Sequence, residues 1–202
     1  MDKLKFSILD LFGFVFPGLL TLLAIFVMFD KSIVEISDLG LYFISINLST
    51  GLLIAIAAFI IGFAIDQPGT WLYNAYNMLL KKIKNKTIPR EIATNSKLNM
   101  KEFRALAREY CPQNFYWLQL WKTFKTMGHN FAVAGLIMAF SAFKKNIQTA
   151  ADGLSNWLIL AIAMIIFALL FLHRARVFDT WHYEELVIAV KTLKLEEKVM
   201  AD

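Results

Sequence analysis

The stretch 39-LGLYFISINLSTGLLIAIAAFIIGFAI-65 holds no charged residue and is followed at once by Asp66. About 20 helical residues cross the roughly 30 Å hydrocarbon core of a bilayer, so this run is longer than one span needs. Its backbone groups would find no partner in lipid, which forces a helix. Three other charge-free runs have the same character: Leu11–Phe29, Thr126–Phe143 and Gly153–Leu172. The third is short and contains His129, so its helix is extended backwards through the aromatic run Phe115–Phe124. The predicted fold class is an all-α polytopic membrane protein, with four transmembrane helices at about 11–29, 44–65, 126–143 and 154–173 and amphipathic cytoplasmic helices between and after them.

Composition agrees. Of 202 residues, 58% are hydrophobic and 18% charged, and the mean hydropathy is +0.54. Soluble domains are about 45–50% apolar, and this chain lacks the polar residues to cover a soluble surface. Intrinsic disorder is excluded by the same figures. Cys111 is the single cysteine, so no internal disulfide or cysteine-based metal site is possible within one chain. His129, His173 and His182 are too scattered for a local metal motif. The net charge of +5 is assigned to lysines on the cytoplasmic side rather than to nucleic-acid binding. The apolar N-terminal run is too long for a signal-peptide core and is expected to remain as the first span.

Orientation follows the basic residues. Segment 67–125 carries Lys81, Lys82, Lys84, Lys86, Arg90, Lys97, Lys101, Arg104, Arg108, Lys122 and Lys125 against Glu91, Glu102 and Glu109. The loops 30–38 and 144–152 hold few basic residues, so both termini and the central segment are placed in the cytoplasm. Within that segment, Leu72, Tyr76, Leu79 and Ile83 repeat at helical spacing after a turn at Gln67-Pro68-Gly69. A second helix is predicted at Met100–Tyr110, ended by Cys111-Pro112, and Asn114 is expected to cap the helix that follows. The tail Val177–Met200 reads as another helix. Lys81, Lys82, Lys84 and Lys86 form a basic cluster suited to anionic lipid.

Small residues recur along two spans: Gly51, Ala55, Ala58 and Gly62 on the second, and Gly128, Ala132, Gly135, Ala139 and Ala142 on the third. Such faces let helix backbones approach, either within the bundle or between copies of the chain. Asp10 sits where the first helix opens. Asp66 ends the second span level with Arg174 and Arg176 at the end of the fourth, and an interfacial charge pair between them is expected. Pro17 removes the backbone bond to Gly13 and should kink the first span. Trp71, Trp117, Trp121, Trp157 and Trp181 lie near boundaries, as anchoring residues do. No GxSxG, HExxH, P-loop or GxGxxG occurs, so no catalytic, cofactor or metal residue is assigned and the chain is not expected to be an enzyme.

ILDLFGFVFPGLL (8–20), IGFAIDQPG (61–69), the basic helical interlude and the two later spans resemble four-span membrane proteins of bacterial anti-phage defence systems, the Kiwa membrane subunits among them. The motif-like parts are the Asp10…Pro17-Gly18 helix and the Gly62…Asp66 helix end. The resemblance implies a homo-oligomeric inner-membrane sensor, expected to be a tetramer, that works with a cytoplasmic defence partner. No catalytic residue comes with it. Membrane lipids and the chain itself are the other expected partners, with no direct nucleic-acid contact. Pore-forming defence effectors share this outline, and a small transporter or assembly subunit is the further alternative.

Overall fold

The computed structural model describes residues 11–44, 46–84, 100–149 and 155–192, and every regular element among them is helical. A π-helical turn, Leu11–Val15, leads into α1 (Phe16–Phe29). It is followed by α2 (Asp38–Ile44), α3 (Leu48–Ala64), α4 (Asp66–Lys84), α5 (Met100–Tyr110), α6 (Pro112–Gln148) and α7 (Asn156–Thr192). Three helical segments, Leu11–Phe29, Pro112–Gln148 and Asn156–Ala189, are long and apolar enough to cross a membrane. A fourth crossing arises if α3 and the first part of α4, bent by 42° at their junction, count as one span.

The antiparallel pair α6–α7 makes the most extensive contact in the molecule, and α1 lies along α6. Asn130 meets Gly13 and Lys144 meets Met28, so α1 and α6 run in parallel. α3 leans on α1 and the π-turn at the edge of the bundle. The loop 30–37, the C-terminal end of α6 and the N-terminal end of α7 therefore share one end, and α4 and α5 lie toward the other.

Both small-residue faces are used inside the chain. A Cβ on Gly18 would stand 1.8 Å from the Ala58 carbonyl oxygen, and one on Gly62 would stand 1.9 Å from that of Phe14. The two glycines thus bring α3 into backbone contact with α1 and the π-turn before it. Gly128 packs against Ala175 and Phe171, and Gly135 against Phe167 and Met164. Ala132, Ala139 and Ala142 are buried on the same side of α6. At the far end of the α3 face, Gly51 has only the Ile46 side chain nearby, at 3.8 Å, and Ala55 is half-buried.

The second span departs from its predicted form. α2 stops at Ile44, and α3 restarts at Leu48 with Asn47 as its cap. The Asn47 Oδ1 accepts the Thr50 N–H at 2.9 Å and the Ser49 hydroxyl at 2.8 Å. An asparagine within an apolar run thus ends one helix and starts another. α3 has 17 residues, about 26 Å, the lower limit for a span. No turn follows at Gln67-Pro68-Gly69. Pro68 lies in the first turn of α4, where its missing N–H costs nothing. The tail is helical as far as Thr192, as a continuation of the fourth apolar run in α7. Residues 193–202 lie outside the described residues, as does Asp10.

The loop end is closed by polar contacts. Lys145, 3% exposed, donates to the carbonyls of Asp30 and Ile33. Trp157 is buried rather than a lipid anchor, and its indole N–H donates to the Val34 carbonyl at 2.6 Å. Ile33, Val27, Ala142 and Ala161 pack around it. The Glu35 and Val34 N–H groups hold the Asp38 carboxyl below the usual carboxylate range.

Overpacking a fixed contact costs about 1–3 kcal/mol. Because backbone atoms oppose Gly18 and Gly62, either one replaced by Ala should lower the unfolding temperature in detergent by several degrees. Gly51→Ala should leave it unchanged. Equal melting of Gly62→Ala and Gly51→Ala would disprove the backbone contact.

Candidate functional site

Polar side chains gather where α4, α6 and α7 meet, at the end of the bundle opposite the loops. On α6, Lys125 and Lys144 are separated by about 29 Å of helix, close to the thickness of a hydrocarbon core. Lys125, His129 and their partners therefore mark one edge of the apolar zone.

Gly69 lies at the junction. A Cβ there would lie 2.9 Å from both Asn130 Oδ1 and His129 Cδ2, so any side chain at this position would force those two groups to shift. His129 Nε2 and Asp66 Oδ1 stand 3.1 Å apart. A carboxylate only accepts, so the ring nitrogen donates. The His129 side chain is 5% exposed and that of Asp66 40%, which places the pair across the boundary between interior and surface. Beside it, the Asn130 amide donates to the Gly13 carbonyl at 3.1 Å. Pro17 has no N–H to offer that carbonyl, so α6 satisfies the acceptor that proline leaves on the first span.

The second half of the seam is ionic. Asp179 on α7 accepts the Tyr73 hydroxyl at 2.9 Å and the Lys125 ammonium at 2.8 Å. Lys125 also stands 4.8 Å from the centre of the Tyr73 ring. Tyr73 is fully buried, and its ring centre lies 6.3 Å from that of His129. Three helices are thereby tied at one level, each through a charged or phenolic group. His129 Nδ1, Asn130 Oδ1 and the Asn77 amide atoms are buried with no hydrogen-bond partner among the described residues. No group of three or more His, Cys, Asp or Glu among the described residues could hold a metal ion.

The expected Asp66–Arg174/Arg176 pair does not form. The bend before α4 sets Asp66 on α6 instead of α7, where His129 takes it. Arg174 stacks its guanidinium over Phe178 and Trp181, 4.9 and 5.2 Å from the ring centres, and Arg176 is half-exposed on the same helix. Trp121 stacks on Phe178 with ring centres 5.9 Å apart and meets Trp181 edge-on at 4.9 Å, so aromatic residues read as lipid anchors also join α6 to α7. Asn114 caps nothing and donates to Glu185 at 2.9 Å, while Cys111 precedes Pro112 at the start of α6. Lys81 and Lys82 are exposed on α4. The Lys84 side chain and Lys86 lie outside the described residues. Tyr73, Lys125 and Asp179 escaped the sequence reading, and of the three only Lys125 borders an apolar run.

Since Tyr73 and Lys125 hold the same carboxylate, their effects on stability should be coupled. Tyr73→Phe should cost about 1 kcal/mol, and Lys125→Met about 1–2 kcal/mol after allowance for its partial exposure. A double-mutant cycle followed by detergent unfolding should show at least about 0.5 kcal/mol of non-additivity. Strict additivity would mean that the two groups do not share Asp179.

No family model, no curated protein and no solved structure matches the chain.

Proposed function

We propose that this chain is a non-enzymatic, homo-oligomeric membrane subunit of bacterial anti-phage defence, which converts a disturbance of its spans into a signal for a cytoplasmic partner. The observation that carries the sensor reading is the continuity of α6 and α7. Each has 37 residues, about 55 Å of unbroken helix. Only about 30 Å of that length is needed to cross hydrocarbon, so the remainder projects from the apolar zone as part of the same rigid element. A tilt of either span therefore displaces the projecting layer, where the Tyr73–Asp179–Lys125 seam joins α4 to the pair. The defence assignment itself rests on the resemblance in 8–20 and 61–69. In this reading the chain lies in the inner membrane with both termini and the basic layer inside, as the excess of lysine and arginine in 67–125 favours.

The spans favour a sensor over an open pore. The Thr21 hydroxyl donates to the Pro17 carbonyl at 2.9 Å and the Ser141 hydroxyl to that of Ile137 at 2.9 Å, so both turn back onto their own helices. Self-association in this reading uses large apolar residues of α3 such as Leu52, Leu53, Ile56 and Ile60, which are exposed, because Gly62, Gly128 and Gly135 are already filled from within the chain.

Phage challenge of cells carrying the chain with its neighbouring genes tests the function. The Lys125→Met, Asp179→Asn double variant should stay in the membrane at normal abundance yet lose at least tenfold of the protection. Full protection by that variant would refute transmission through the seam, and no protection by the unaltered chain would refute the defence role. Depolarisation of cells expressing the chain alone would make it a pore-forming effector. Topology is checked separately by cysteine labelling in a Cys111→Ser background. Ser37→Cys and Gln148→Cys should react from outside intact cells, and Lys82→Cys and Gln113→Cys should not. Outside labelling of Lys82→Cys would reverse the orientation.

A further inference from the structure

Beyond the seam, α5, α6 and α7 enclose a cavity of about 280 Å³ that opens to the surface and is lined by Arg104, Arg108, Phe115, Leu118, Lys122 and His182, among others. Among the described residues its charged lining is entirely basic. Among the described residues no carboxylate oxygen lies within 4.0 Å of the Arg104, Arg108 or Lys122 side-chain nitrogens. Three cations around one hollow repel each other unless an anion or bulk water intervenes. The volume falls just below the roughly 300–1,000 Å³ of pockets that enclose drug-sized ligands, so the space suits a small group.

The hydrogen bonds arrange this cavity for an anion. His182 Nδ1 lies 2.9 Å from the Leu118 carbonyl oxygen. A carbonyl only accepts, so Nδ1 carries the proton. Arg104 Nη2 lies 3.2 Å from His182 Nε2. A guanidinium only donates, so Nε2 accepts. The two bonds together define a neutral imidazole, anchored to α6 and holding one edge of Arg104. The remaining guanidinium N–H groups keep the planar fork that matches the oxygens of a phosphate.

Depth identifies the setting. Lys122 lies one helical turn beyond Lys125, about 5 Å outside the apolar zone, and Phe115 about 15 Å outside it. The headgroup layer occupies roughly 5–8 Å on each side of the hydrocarbon. The Lys122 side of the cavity thus lies level with lipid phosphates and the Phe115 side in water.

We propose that this cavity is a binding site for a phosphate group, carried by an anionic phospholipid headgroup or by a soluble phosphate compound. Arg104 and Arg108 grip the phosphate oxygens, Lys122 supplies a point charge, and Phe115 and Leu118 pack against whatever the phosphate carries. The site joins α5, α6 and α7, so its occupation stiffens the projecting layer.

The test uses the full chain purified in neutral detergent. Lipid retention is read by native mass spectrometry after exposure to phosphatidylcholine vesicles with or without one quarter phosphatidylglycerol. Phosphate binding is read by calorimetry with inorganic pyrophosphate. Arg108→Gln with Lys122→Gln removes two charges from the cavity, and Lys81→Gln with Lys82→Gln removes two from α4. All four residues are exposed, and circular dichroism verifies that both variants remain folded. Retention of phosphatidylglycerol that falls at least tenfold only in the cavity variant establishes the site with a lipid source. Saturable pyrophosphate binding lost only in that variant, with no preference for phosphatidylglycerol, establishes it with a soluble source. Equal losses in both variants would reduce the effect to diffuse surface charge and overturn the proposal. Failure of the unaltered chain to bind either probe would overturn it as well.

Discussion

The close approach of α6 and α7 is the constraint on which the other contacts depend. Lipid tails are as apolar as leucine, so burial alone gives these helices no reason to meet. Gly128 and Gly135 remove side chains where Ala175, Phe171, Phe167 and Met164 come closest, and dispersion along the seam does the rest. That spacing brings Lys125 within reach of Asp179 and His182 within reach of the Leu118 carbonyl. It also sets Trp121 against Phe178 and Trp181. Widening the pair by even one methyl group would strain the polar seam and the basic cavity together.

Polar groups are concentrated at the two ends of the apolar zone, and each end joins different elements. At the loop end the acceptors are main-chain carbonyls, and Lys145 and Trp157 supply the donors. At the opposite end the carboxylates of Asp66 and Asp179 accept from His129, Tyr73 and Lys125. Between them the hydroxyls of Thr21 and Ser141 turn inward to their own helices. The arrangement leaves the middle of the bundle to packing and puts the directional bonds where a bilayer is partly wet.

The spans that can be read from charge-free length alone were legible. Leu11–Phe29 recurs with the predicted bounds, and the fourth apolar run lies within α7. Met100–Tyr110 also matches its predicted limits, because Cys111-Pro112 offers an unambiguous stop. The backward extension of the third helix through Phe115–Phe124 holds as well. What escaped was anything set by rotation about a helix axis. Asp66 and Arg174 are level along the membrane normal, yet the 42° bend turns Asp66 toward α6. Small-residue rhythm located the packing faces of α3 and α6, but spacing along one helix does not identify the neighbour that fills them. The break at Asn47 was hidden for another reason. Hydropathy averages over many residues, whereas a cap depends on one side chain and one N–H.

Lys145 carries a consequence for biosynthesis. In the proposed orientation Lys144 and Lys145 lie at the tip of a helical hairpin that inserts from the opposite side, so two ammonium groups must pass the bilayer centre. Each costs about 2.5–3.5 kcal/mol there on insertion scales. The Ile33 carbonyl that receives Lys145 is made 112 residues earlier in the chain. A nascent chain that has already installed α1 and its loop presents the second hairpin with a prepared landing site, so vectorial synthesis from the N-terminus lowers the cost of its own later step. The order in which the ribosome delivers the helices is in this sense a component of the fold.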